Sequence, residues 1–160
     1  MSHTPSASSP LFRLLRRLLV LLVLVYFGLG ALIALEVAKP VRRFDVSKTA
    51  ALQPLGLQEI HFPARGGDKQ LAGWYVPHAA GRHAVILVHG MSSSRTAEYR
   101  GQFSDLVGVM YRSGFAVLSL DLRGHGQSDD GRLSFSINEH RDVLGAYDYL
   151  RAQGYGPRHI

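Results

Sequence analysis

Two short segments concentrate the residue types that could do chemistry in this chain. The first is Val88-His89-Gly90-Met91-Ser92-Ser93-Ser94-Arg95, directly after the apolar run Ala84 to Val88. The second is Asp121-Leu122-Arg123-Gly124-His125-Gly126-Gln127-Ser128-Asp129, directly after the apolar run Phe115 to Leu120. Histidine moves protons near neutral pH, serine becomes a nucleophile beside a base, and glycine lets backbone N–H groups come close to a ligand. In doubly wound sheets ligands sit beyond the carboxyl ends of the strands, which is where both segments fall. Other chemistries find little support. Gly124-x-Gly126 follows a strand as a dinucleotide loop would, but the third glycine would fall at Asp129 and the next helix starts well downstream. There is no Gly-x₄-Gly-Lys-Ser/Thr phosphate loop. The 8 histidines include no His-x₃-His pair, so no metal site and no cofactor is expected. The chain has 0 cysteines, which excludes disulfides, thiolate zinc sites and a cysteine nucleophile.

The elements that must position these loops follow from pattern. Leu57 to Phe62 alternates apolar and polar residues and reads as a strand. Arg65-Gly66-Gly67-Asp68 is a turn, and Gln70 to Val76 is a second strand closing a hairpin. The runs 84–88 and 115–120 are apolar throughout, as expected for parallel strands covered on both faces. Between them, Tyr99, Phe103, Leu106, Val107 and Met110 recur at helical spacing, predicting a helix over Thr96 to Ser113 ended by Gly114. Ser136-Ile137-Asn138-Glu139 has the form of a capping box. The helix it opens carries Ile137, His140, Val143, Leu144, Tyr147 and Leu150 on one face and stops at Gly154. Pro157 to Ile160 reads as entry to a further strand. The order β-β-β-α-β-α-(β) predicts an α/β domain with crossover helices.

Charge is unevenly distributed. The 160 residues carry 18 Lys and Arg against 12 Asp and Glu. Five of the six excess positive charges fall in residues 1–43, on Arg13, Arg16, Arg17, Lys39, Arg42 and Arg43 against Glu36. The folded part is nearly neutral, so a nucleic-acid partner is not expected. These charges bracket Leu18 to Leu35, an apolar run without a charge. With Leu14 and Leu15, and with Arg16 and Arg17 reaching to the headgroups, residues 14–36 are long enough to span a bilayer. A cleaved signal peptide is the competing reading, but its only small-x-small site, Gly28-Leu29-Gly30, lies inside the apolar run. A buried helix fits poorly with apolar residues on all faces. The expected organisation is a polar tail (1–13), a transmembrane anchor (14–36), a linker (37–55) and an α/β domain (56–160). Basic residues tie on the two sides of the span. The free amino terminus favours an inside tail and an extracytoplasmic domain.

From these motifs the sequence resembles the α/β-hydrolases. The resemblance rests on GWYVP at 73–77, AVILVHGMSSSR at 84–95, FAVLSLDLRGHGQSD at 115–129 and EHRDVLGAYDYLRAQG at 139–154, and covers residues 57 to 160. It is strongest to membrane-anchored bacterial members and their serine-aminopeptidase-like and lysophospholipase-like relatives. It implies the N-terminal half of an α/β-hydrolase sheet: a β-hairpin, then parallel strands with crossover helices, preceded here by one transmembrane helix. It implies that the Met91 backbone N–H donates to an oxyanion, with His89 and Gly90 forming the loop that presents it. It also implies that Asp121, Arg123, Gly124, His125, Gly126 and Ser128 form the active-site rim, with Arg123 and Ser128 bonding loop carbonyls.

His125 is not the expected base, because the family's base lies far downstream. Ser128 is not the expected nucleophile. The elbow is Gly-x-Ser-x-Gly, and Gly126-Gln127-Ser128-Asp129-Asp130 puts an aspartate where a tight turn needs a small residue. No such elbow occurs anywhere in the chain, nor do the acid and histidine that should follow it. Two expectations remain. One is a membrane-anchored serine hydrolase whose full-length form supplies nucleophile, acid and base, acting on an ester, thioester or peptide bond of a small-molecule or acyl substrate. The other is a non-catalytic membrane-bound remnant that binds a partner through its open sheet edge.

Overall fold

A computed structural model describes residues 9–40 and 42–160. It divides into two units, Met1–Ala38 and Lys39–Ile160. The described residues of the first hold a single helix, α1 (Pro10–Val37). Proline stands at its first turn, where no N–H is needed, and the Ser9 hydroxyl accepts the Phe12 N–H at 3.3 Å. None of its residues is buried, and its most apolar window has a mean hydropathy of 2.9. It is long and apolar enough to cross a membrane. The helix begins four residues before the expected span, because Ser9-Pro10 is a good start signal. The rest of the expected polar tail, residues 1–8, lies outside the described residues.

The second unit holds a four-stranded sheet in the order β1-β2-β4-β3, with β1 (Gln58–Pro63), β2 (Gln70–Val76), β3 (His83–Val88) and β4 (Phe115–Leu120). β1 and β2 form the antiparallel hairpin, β2 pairs antiparallel with β4, and β3 pairs parallel with β4 from His83↔Phe115 to Val88↔Leu120. Strand alternation splits the core in two. On one face, Leu71, Ala116, Leu118 and Leu120 pack with Ala146 and Leu150 of α3 (Glu139–Ala152). On the other, Trp74, Val76 and Val117 pack with Val107 of α2 (Phe103–Arg112) and with Leu52. α3 comes close to the hairpin because Gly145 has no side chain; a Cβ there would run into the Pro63 carbonyl.

Several expectations need correction. The helix predicted over 96–113 forms only from Phe103 to Arg112. Tyr99, Arg100 and Gly101 are all left-handed and break it. α3 begins at Glu139 with Asn138 as its cap, so Ser136 is not a capping residue. One half of the box survives, because the Glu139 carboxylate accepts the Ser136 N–H at 2.8 Å. Ile137 and His140 are exposed; the buried stripe of α3 is Glu139, Asp142, Gly145, Ala146 and Leu150. Pro157 to Ile160 form a turn rather than a strand, although the Ala84 N–H donates to the His159 carbonyl at 2.7 Å. The expected linker 37–55 is largely part of the fold. Leu52 is buried, Phe44 and Leu55 pack against the same core, and the Asp45 N–H donates to Thr96 Oγ1 at 3.0 Å.

Candidate active site

The carboxyl ends of β3 and β4 open on a cleft of about 390 Å³, walled by His89, Met91, Leu122, His125, Phe135 and Glu139 among others. Loop 89–101, after β3, places its histidine inward. His89 is buried, and its Nδ1 lies 2.8 Å from the Gly90 carbonyl while its Nε2 accepts the Leu122 N–H at 3.0 Å. A carbonyl only accepts, so Nδ1 carries the proton and the ring is neutral. Burial pushes its pKa below the ordinary histidine value, which agrees. The Gly90 N–H is taken by Glu98 Oε2 at 2.6 Å. Burial raises Glu98, but bonds from the Gly90 N–H and the Ser93 side chain outweigh it and hold the carboxyl below its usual range. The Met91 N–H has no protein acceptor among the described residues. Its side chain is exposed.

Loop 121–131, after β4, is built differently. Asp121 and Arg95 are both fully buried and form an ion pair. The Asp121 carboxylate also accepts the Arg95 N–H at 2.8 Å and the Gln127 N–H at 3.0 Å. The Arg95 guanidinium lies over the rings of Phe44 and Trp74, 4.8 and 5.2 Å from their centroids. Gly126 is left-handed, and a Cβ there would overlap the Asp121 carboxylate. Ser128 Oγ donates to the Asp121 carbonyl at 2.6 Å and accepts the Ala72 N–H at 2.9 Å, which ties the loop to β2. Arg123 bonds carboxylates rather than the loop carbonyls expected of it. It holds Asp142 of α3 through Nε at 3.0 Å and Nη2 at 2.7 Å, and Asp68 of the hairpin turn through Nη1 at 2.9 Å. The Arg123 side chain in turn keeps the Asp68 carboxyl below its usual range.

Of the six residues expected at the rim, His125 lines the cleft; Asp121, Arg123, Gly124, Gly126 and Ser128 do not. The His125 ring lies 4.9 Å from that of His89. Its Nδ1 is bonded to the Arg123 carbonyl at 3.0 Å, and its buried Nε2 has no partner among the described residues. Glu139 enters the site from α3. Burial raises it, but the Ser134 hydroxyl and the Ser134 and Ser136 N–H groups outweigh this and leave its pKa lowered. Sequence reasoning assigned Glu139 only to a helix cap. It missed Asp142 altogether, and the one available signal was that a buried Arg123 must find an acid. No cluster of His, Cys, Asp and Glu able to hold a metal occurs among the described residues.

The hairpin, the mixed sheet and the two strand-end loops define the N-terminal portion of an α/β-hydrolase fold. Within it, residues 79–156 match the family model described as serine aminopeptidase, S33. The fold is similar to that of a Pyrococcus furiosus esterase, with a TM-score of 0.61, 22% identity, and coverage of 72% of this chain and 42% of the esterase. It is also similar to an α/β-hydrolase from Vibrio vulnificus, with a TM-score of 0.54, 20% identity, and coverage of 94% of this chain and 47% of that one. The chain thus spans less than half the length of either. No curated protein gives a significant match.

Proposed function

We propose that the full-length protein is a membrane-anchored serine hydrolase acting on an ester, thioester or peptide carbonyl of a small-molecule or acyl substrate. The observation that carries this reading is the Met91 N–H, which has no acceptor among the described residues and sits in a loop that walls the cleft. His89 and Glu98 support it by holding the loop on both sides of that amide. His89 grips Leu122 of the neighbouring loop, and Glu98 takes the preceding Gly90 N–H. A serine from the full-length form attacks the substrate carbonyl carbon, and its proton passes to a histidine base. The carbonyl π electrons move to oxygen, and the Met91 N–H together with the N–H following the serine stabilises that oxyanion. Collapse expels the alcohol, thiol or amine, protonated by the histidine, and leaves an acyl-enzyme. Water then hydrolyses it by the same route. α1 holds the protein in a bilayer, with the hydrolase domain on the extracytoplasmic side.

Labelling with a fluorophosphonate tests this reading. The product of the complete reading frame should label at one serine within a Gly-x-Ser-x-Gly elbow, and the 160-residue chain should not label above a heat-denatured control. Met91→Pro removes the N–H and should lower kcat of the complete protein by about 10²–10³. Labelling of Ser128, or a complete product without a labelled serine, would overturn the proposal and favour the non-catalytic reading. Carbonate extraction tests the anchor by itself, since uncleaved protein released to the soluble fraction would contradict it.

A further inference from the structure

The segment that follows α1 in the chain is strongly basic, and from Arg42 onward it is held in place. Two shallow depressions share Arg42. One is lined by Lys39, Arg42 and Arg132 together with Asp130, the other by Arg42, Arg43, Lys48 and Arg100 together with Asp45. Six cations therefore line these depressions with two acids, and three of the six, Lys39, Arg42 and Arg43, come just before a stretch, 44–160, that is close to neutral. Both acids already have partners. Asp130 Oδ1 accepts Arg42 Nη2 at 2.6 Å, and Asp45 Oδ1 accepts the Ser47 N–H at 2.9 Å and Ser47 Oγ at 2.7 Å. Arg43, Arg100 and Arg132 are exposed. Lys48 lies against Gly101, so its ammonium belongs to the same surface as Arg100.

The backbone under these cations is fixed by contacts to the loops after β3 and β4. Arg42 Nη1 donates to the Gly126 carbonyl at 3.1 Å, Phe44 sits under the Arg95 guanidinium, and the Asp45 N–H donates to Thr96. Arg100 is held with a left-handed backbone, φ 59°, between two other left-handed residues. A solvated basic tail would need none of this. Fixed cations with satisfied acids fit phosphate, and the short stretch of chain between Val37, where α1 ends, and Arg43 points to lipid headgroups as its source.

We propose that Arg43, Lys48 and Arg100, on the Lys39–Lys48 segment and the loop after β3, bind the headgroups of acidic phospholipids in the membrane that α1 enters. The proposal rests on the anchoring part of the function proposed above. Bound headgroups would tether the domain close to one leaflet, with each basic side chain contributing about fivefold to the local preference for anionic lipid.

The chain has a single tryptophan, Trp74, whose ring lies beneath Arg95 and serves as an energy-transfer donor. The full chain is reconstituted in phosphatidylcholine vesicles containing a trace of phosphatidylglycerol or phosphatidylcholine that bears the same dansyl-labelled acyl chain. Flotation with the vesicles reports the anchor alone. Transfer to labelled phosphatidylglycerol should be at least about twofold greater than to labelled phosphatidylcholine, and high salt should abolish the difference. The triple variant R43Q/K48Q/R100Q should also abolish it, whereas R43K/R100K, which keeps the charge, should retain it. Equal transfer from a chain that floats would overturn the proposal and leave the anchor standing. So would a preference that survives in the triple glutamine variant, because its source would then be other cations, Arg13, Arg16 and Arg17 or Lys39, Arg42 and Arg132. Loss of the preference on adding inorganic phosphate at constant ionic strength would make the surface a soluble-anion site and would also overturn the lipid assignment.

Discussion

The loops after β3 and β4 stand side by side and are built on opposite principles. Loop 121–131 carries the aspartate, arginine, histidine and serine that look reactive, yet nearly all of their polar atoms are bonded inside the protein. Loop 89–101 contributes a residue with no reactive side chain, Met91, whose N–H finds no acceptor among the described residues. A buried polar group must be satisfied, so reactive-looking side chains at a packed strand end are consumed by architecture. A backbone amide on an exposed loop residue is not. The first loop therefore holds shape, and the second is open to a ligand.

The comparison can be broken or sharpened by substitution, read as folding stability of the chain. Asp121→Asn should cost most, about 3–5 kcal/mol in chemical denaturation, because it leaves Arg95 charged and buried. A loss below about 1 kcal/mol would mean that the loop is not held by this pair. Gly126→Ala should come next, at about 1–3 kcal/mol for the forced overlap with Asp121 and about 1 more for a left-handed alanine. Ser128→Ala removes one donor and one acceptor between the loop and β2, and should lower stability by about 1–3 kcal/mol. Met91→Ala should change stability by less than about 0.5 kcal/mol, since the side chain is 64% exposed. A large effect at Met91, or none at Ser128, would erase the contrast between the loops.

His89 gives a pH test of the same contrast. Its folded form is neutral and its pKa lies below the ordinary value. The unfolded chain therefore binds a proton that the folded chain excludes. The stability due to His89 is complete above pH about 6.5 and is lost as pH falls below it, because protonation turns the Leu122 acceptor into a donor. Thermal melts of wild type and His89→Gln should diverge in slope below that pH, with the variant flatter. Parallel slopes would remove His89 as the bridge between the two loops.

Much of this fold is legible along the chain. β2 and β4 match the strands expected at Gln70–Val76 and Phe115–Leu120 end for end; β4, covered on both faces, needs its unbroken apolar run. The site loops are legible too, since they must follow β3 and β4. What misled were positions where burial and hydrophobicity part company. α3 buries Glu139 and Asp142, while Ile137, just before it, is exposed, because Ser134 and Arg123 satisfy the acids. Arg123 finds Asp68, 55 residues away in sequence, which no local pattern encodes.

By itself the sequence determined the apolar helix of α1, the strand runs and their α/β order, and the placement of the two loops, all properties of local periodicity and composition. Tertiary structure alone decided which polar residues are spent and which backbone group stays free. The Asp121–Arg95 pair, the Ser128 tie and the unbonded Met91 amide depend on where separate strands bring their ends together. Hydrogen bonding is directional and short in range, so it is settled only when those ends meet.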